Sequence, residues 1–134
     1  MFLRNPQILI VDDERSILVA LRAILEPQTP HIFEAMDGLE SIKKIKNQHF
    51  DIIFSNLRMP RIDGLELLEL LPELGCQAKM IIVSGMLCKQ EHILELKKAG
   101  AFDALPKPLD KDKIIQTLHN ALGAIYREAL LMPN

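Results

Sequence analysis

A chain of 134 residues makes one domain, with enough length for a single well-buried core. Its residues are 49% hydrophobic and 25% charged, and the net charge of −2 is spread over interspersed signs, which excludes the clustered basic surface of a nucleic-acid binder. Cys76 and Cys88 are too few and too isolated for a disulfide framework or a zinc site. No apolar run approaches the ~20 residues of a membrane span.

Along the chain, short apolar runs alternate with helical patterns. The opening segment, Met1-Phe2-Leu3-Arg4-Asn5-Pro6, lacks the apolar core of a signal peptide, so the expected location is the cytoplasm, with both cysteines reduced. Ile8-Leu9-Ile10-Val11 is a continuous β-branched run, the signature of a strand buried on both faces, and it ends on the acidic pair Asp12 and Asp13. Ile17, Leu18, Leu21, Ile24 and Leu25 then form a helical stripe. A weaker strand fits His31 to Ala35, and a second helix follows on Leu39, Ile42 and Ile45, with Asp37 placed to cap it. Ile52-Ile53-Phe54 is the third strand, and Asn56 lies just past it. Leu65, Leu68 and Leu71 make a third stripe, stopped by Pro72.

Met80-Ile81-Ile82-Val83 is the fourth strand and leads to Ser84 and Gly85. Ile93, Leu94, Leu96 and Ala99 make the fourth helical pattern, closed by Gly100. The fifth strand fits Phe102 to Leu105 and leads to Lys107 between Pro106 and Pro108. Pro106 has no N–H for a ladder, which puts this strand at the sheet edge. Asp110 opens the last helix on Ile114, Ile115, Leu118, Leu122 and Ile125, and the pattern runs on through Tyr126, Ala129 and Leu130. A single domain over residues 1–134 is expected, with its core at about 7–123 and an extended last helix and tail over 124–134.

Five strands alternating with five helices predict a doubly wound parallel sheet, with right-handed crossovers covering both faces. The binding crevice of such a sheet lies beyond the carboxyl ends of its strands. Asp12, Asp13, Asn56, Ser84 and Lys107 all fall there. Adjacent carboxylates repel unless a cation neutralises them, and a few oxygen donors completed by water suit Mg²⁺. Read alone, Asp12 and Asp13 equally suit the N-terminus of the following helix; the rest of the constellation favours the metal. Lys107, pinned between prolines, can point into the crevice toward the acids or a phosphoryl group. Ser84 read alone is a turn serine; at this strand end its hydroxyl can donate to a phosphoryl oxygen.

These segments together resemble a response-regulator receiver domain of two-component signalling. Ile8 to Glu14 resembles the family's first strand and acidic pair. Asn56-Leu57-Arg58-Met59-Pro60-Arg61-Ile62-Asp63-Gly64 resembles the segment that starts at the phospho-accepting aspartate. Ser84-Gly85, and Lys97 to Asp103 leading to Lys107-Pro108, resemble the remaining family motifs. The resemblance covers about Gln7 to Gly123 and implies a flavodoxin-like fold with strand order 2-1-3-4-5. It implies Mg²⁺ on Asp12, Asp13 and the backbone carbonyl of Arg58, a phosphoryl grip by Ser84 and Lys107, and a cis Lys107–Pro108 peptide. It also implies phosphorelay signalling with a histidine kinase or another signalling protein as partner. The partner face it implies is that of the fourth helix, fifth strand and fifth helix, and a homodimer is a further candidate assembly.

Two positions depart from the family. Asn56 replaces the acceptor carboxylate with a neutral amide, a poor nucleophile, so this chain is expected not to be phosphorylated, to bind Mg²⁺ weakly and to act by protein–protein binding. Ala104 stands where the family carries a rotating aromatic residue, and Phe102, two residues earlier, is a candidate to compensate for it. Without a phosphoryl group, Lys107 is expected to pair with the remaining carboxylates Asp12 and Asp13, Asp13 foremost, or with the amide oxygen of Asn56. The chain is not expected to be an enzyme. The alternative is a phosphohydrolase-like enzyme with Asp12 as aspartyl nucleophile, which would need a substrate-selecting cap for which 134 residues leave no room. A flavin-binding protein of the same topology would want a hydroxyl- and glycine-rich loop after the first strand, where this chain has Asp12-Asp13-Glu14-Arg15. His31, His49, His92 and His119 show no ligand spacing, and Met86 and Leu87 read as loop packing rather than as a docking edge.

Overall fold

The computed structural model describes residues 5–86 and 89–132. The opening Met1 to Arg4, Leu87, Cys88 and the tail residues 133–134 lie outside the described residues. Five parallel strands, β1 (Ile8–Val11), β2 (Ile32–Ala35), β3 (Ile52–Ser55), β4 (Lys79–Ser84) and β5 (Asp103–Pro106), form one sheet in the order β2-β1-β3-β4-β5. The helices between and after them are α1 (Arg15–Leu25), α2 (Gly38–Asn47), α3 (Gly64–Leu70), α4 (Gln90–Lys98) and α5 (Lys111–Leu131). The expected order and the five-and-five alternation are both met.

The strand sequences explain the position of each strand. β1 and β3 are buried at every residue, and β4 at all but its first, as continuous apolar runs require when helices cover both faces. β2 and β5 are only partly buried, as suits edge strands, and Pro106 sits on β5 opposite Ser84. Successive side chains point to opposite faces. Leu9, Val11, Ile53, Met80 and Ile82 therefore pack under α2, α3 and α4, and Ile8, Ile10, Ile52, Phe54, Ile81 and Val83 under α1 and α5.

The helix signals hold at Asp37, Asp110 and Gly100, and α3 adds a cap at Asp63 that was not expected. Asp37 accepts from Glu40 N at 2.8 Å, and Asp110 accepts from Lys113 N at 3.2 Å. Asp63 and Glu66 form a reciprocal capping box on α3, and Gly100 closes α4 with φ of 118°. Two helical stripes are narrower than expected. Leu39 is 40% exposed on α2 and Leu94 is 49% exposed on α4, where Leu96 is the buried residue and Ile93 packs beside it. Both helices turn a narrow face to the sheet, and neighbours about 100° away around the axis fall outside it. β5 also begins one residue later than expected, at Asp103.

Candidate functional site

The strand ends are locked together by the backbone before any side chain acts. Asp12 N donates to Ala35 O at 3.1 Å, Asn56 N to Val11 O at 2.9 Å, and Lys107 N to Ser84 O at 3.0 Å. These bonds extend the ladders one residue past the strands and bring Asp12, Asn56, Ser84 and Lys107 to one end of the sheet. The loop after β3 is clamped from below. A Cβ on Gly64 would lie 2.3 Å from Asn56 O, so only glycine permits this approach. Ser55 Oγ donates to Asn56 O at 3.0 Å, and Asn56 is buried as a result.

Asp12 is 1% exposed, and both of its oxygens are occupied. Oδ1 accepts from Glu14 N at 2.9 Å in the turn ahead of α1, and Oδ2 accepts from Lys107 Nζ at 2.9 Å. The capping reading does not hold, because Glu14 is the N-cap of α1 and no side chain caps that helix; Asp12 instead forms a turn ahead of it and pairs with Lys107. Burial pushes its carboxyl above the ordinary 3.8, and the Lys107 and Glu14 hydrogen bonds pull it partly back.

Lys107 pairs with the acidic pair as expected, but with Asp12 and not with the favoured Asp13. Asp13 faces solvent, where water satisfies it. Asp12 does not, and a buried carboxylate without a cation costs several kcal/mol, on the order given for buried ions. The lysine follows the larger cost.

Asn56 forms the other half of the crevice. Its Nδ2 donates to Arg58 O at 2.7 Å and to Asp13 Oδ1 at 3.3 Å. Both partners are acceptors only, which fixes the amide with its nitrogen toward them. The cation implied by the resemblance would take its oxygens from Asp12, Asp13 and Arg58. As arranged, these donors do not fit it: two already accept from the same amide, and the third is held by Lys107 and Glu14. Among the described residues, no group of three or more His, Cys, Asp or Glu side chains is arranged to hold a metal.

Ser84 joins the crevice through its backbone, while its hydroxyl accepts from Met86 N at 3.1 Å. Ala104 is buried in the α2, α3 and α4 layer. Phe102, the candidate to compensate for Ala104, packs in the opposite layer with Leu105 against α1 and α5, because it precedes β5 and is not yet on its alternation. It cannot stand in for a residue at 104. Lys107–Pro108 is cis, as the resemblance implied.

Met86 is exposed rather than packed. It borders a groove of about 440 Å³ between α3 and α4, lined by Leu57, Arg58, Leu65 and Leu96, which shares Arg58 with the crevice. The histidines stay out of the crevice: His49 lies 2.9 Å from Asp51 before β3, and His119 lies 3.0 Å from Gln28. Cys76 is free. Among the described residues no helix is long and apolar enough to cross a membrane.

A family model for the response regulator receiver domain matches residues 8–119. The transcriptional regulatory protein ZraR of Klebsiella oxytoca is 33% identical over 116 residues, which cover 87% of this chain and 26% of that protein. The chain thus spans about a quarter of that relative's length. The chemotaxis protein CheY of Bacillus subtilis is 28% identical over 118 residues, 87% of this chain and 98% of CheY. Among solved structures, the complex of CheX with CheY, BeF3 and Mg+2 from Borrelia burgdorferi matches with a TM-score of 0.80 at 30% identity, covering 87% of this chain and 88% of that one.

Proposed function

The chain belongs to the response regulator receiver domain family, and within that family we propose that it is a receiver which signals by binding and does not accept a phosphoryl group. The observation that carries this is the amide of Asn56 at the carboxyl end of β3, aimed at Asp13 and the Arg58 carbonyl, where the resemblance puts the accepting aspartate.

Phosphoryl acceptance needs an anionic oxygen with a free lone pair to attack phosphorus. The amide is neutral, its nitrogen lone pair is delocalised, and that nitrogen is spent on two hydrogen bonds. Ser84 and Lys107 are the residues that would bind a phosphoryl group. Without one, Ser84 keeps its bond from Met86 and Lys107 keeps Asp12. Mg²⁺ could use Asp12, Asp13 and the Arg58 carbonyl only by taking them from their present partners, so we expect it to bind weakly; the CheY of Borrelia burgdorferi was solved with Mg+2 and BeF3.

The proposed partner is a histidine kinase or another signalling protein on the face of α4, β5 and α5, with a homodimer as a further candidate assembly; the CheY of Borrelia burgdorferi was solved in complex with CheX. Leu94 and Tyr126, exposed on α4 and α5, supply apolar contact area there. The proposed location is the cytoplasm and the proposed role is non-enzymatic. Asp12 has neither oxygen free to act as a nucleophile, which counts against the phosphohydrolase alternative.

Intact mass after incubation with Mg²⁺ and a small phosphodonor tests the reading. The expected result is no adduct at Asn56. A stoichiometric phosphate labile to hydroxylamine and mapped to Asn56 sinks it.

A further inference from the structure

The geometry points to a second role for Asn56: its amide nitrogen takes the place of a cation between Asp13 and the Arg58 carbonyl, so metal must displace it in order to bind. The inference rests on the receiver reading and goes beyond it, because a poor nucleophile need not also block a metal.

Two N–H groups leave Nδ2 with partial positive charge on both. They reach an anionic oxygen at 3.3 Å and a carbonyl oxygen at 2.7 Å. These are the two acceptors on this side of the crevice, and one donor atom holds both. The amide is also held in place. Asn56 is 8% exposed, its N–H is bonded to Val11 O, and its carbonyl is pressed between Ser55 Oγ and Gly64.

The charge balance agrees with the geometry. Asp12 already has Lys107, so the carboxylate left over is Asp13, which is open to water. Mg²⁺ demands near-octahedral oxygen ligands and sheds its own water reluctantly. To enter, it must break both hydrogen bonds of the amide. For Asn56 to offer its oxygen, the side chain must also turn by half a rotation and abandon Arg58 O.

The consequence runs against a count of ligands. If Asn56 were a metal ligand, Asn56→Ala would weaken Mg²⁺ binding. If the amide is a cation surrogate, Asn56→Ala frees two oxygens and admits a water, and binding tightens. The expected gain is roughly 2- to 10-fold in dissociation constant, the affinity equivalent of one net hydrogen bond.

Mg²⁺ titrations of the parent and of Asn56→Ala, followed by NMR on the backbone amides of residues 11–14 and 56–59, give the two constants. A lower constant for Asn56→Ala supports the surrogate; an equal or higher one overturns it. A second measurement needs no variant. In metal-free parent protein, the side-chain NH₂ protons of Asn56 should exchange with water more slowly than those of exposed Asn47, and added Mg²⁺ should abolish the difference. Exchange as fast as that of Asn47 also overturns the inference. Neither result depends on phosphorylation. An acyl phosphate on Asn56 would sink the receiver reading alone, and an inverted affinity order would sink the surrogate alone.

Discussion

Asp12 and Asp13 are neighbours in sequence with opposite surroundings. Asp12 is sealed under the strand ends with a lysine on one oxygen and a backbone N–H on the other. Asp13 lies in solvent and accepts from the neutral amide of Asn56. One half of the crevice is thus held by full charges in a dry place, and the other by dipoles in a wet one. Water decides the allocation: a charge that solvent can reach needs no partner, and one that it cannot reach takes Lys107. Variants of the two halves should therefore differ in size.

The largest effect is expected on the buried half. Lys107→Ala leaves Asp12 without its cation and should lower stability by about 1–3 kcal/mol in urea melts near neutral pH. Lys107→Met, which keeps most of the apolar stem, should cost nearly as much. Unchanged melts for both would mean that Lys107 is a surface lysine.

Next comes a charge added to the solvent half. Asn56→Asp puts a third carboxylate beside Asp13 and turns an N–H donor into an acceptor facing Arg58 O. Without metal it should destabilise by roughly 1–2 kcal/mol through like-charge repulsion. Mg²⁺ should recover that loss by binding the folded state, and should shift the parent's melt far less. Equal Mg²⁺ shifts for both proteins would contradict the contrast.

Removing the amide should do less. Asn56→Ala loses two hydrogen bonds, one of them to a carboxylate that water can satisfy, so about 0.5–1.5 kcal/mol is expected in the same melts. A loss larger than that of Lys107→Ala would reverse the ranking of the two halves.

The smallest signal is in proton binding. Burial holds the Asp12 carboxyl above 3.8, its ordinary value, so just above that pH the folded state binds more protons than the unfolded one. The contribution of Asp12 to stability should therefore fall as pH rises through the raised value. Carboxyl carbon NMR should place its midpoint above 3.8. In Lys107→Met the midpoint should rise further, since the lysine was lowering it. A midpoint at or below 3.8 in the parent would mean that hydrogen bonding, and not burial, governs this residue.

Most of the frame was legible in the residues. The unbroken runs at Ile8, Ile52 and Met80 could only be strands covered on both sides, and Pro106 marked the edge. Helix caps at Asp37 and Asp110 were equally plain. Leu39 and Leu94 misled because a stripe of apolar letters does not say how wide a face the sheet accepts.

Within the site, position along the chain was legible and side-chain pairing was not. That Lys107 would choose Asp12 depended on which acid is buried, and that follows from the first residue past β1 turning in and the next turning out. The bond from Asn56 to Arg58 O arises from the local path of the loop over Gly64, which leaves no pattern in residue types. Phe102 lay two residues from Ala104, but the alternation begins only at Asp103.

The central claim is that the amide at position 56 is what keeps this receiver from taking a phosphoryl group. Intact-mass measurement of the parent and Asn56→Asp, side by side with Mg²⁺ and a small phosphodonor, tests it most directly. The expected result is a hydroxylamine-labile phosphate on Asp at 56 in the variant and none on the parent. A parent that is phosphorylated at Asn56, or a folded variant as inert as the parent, would contradict it.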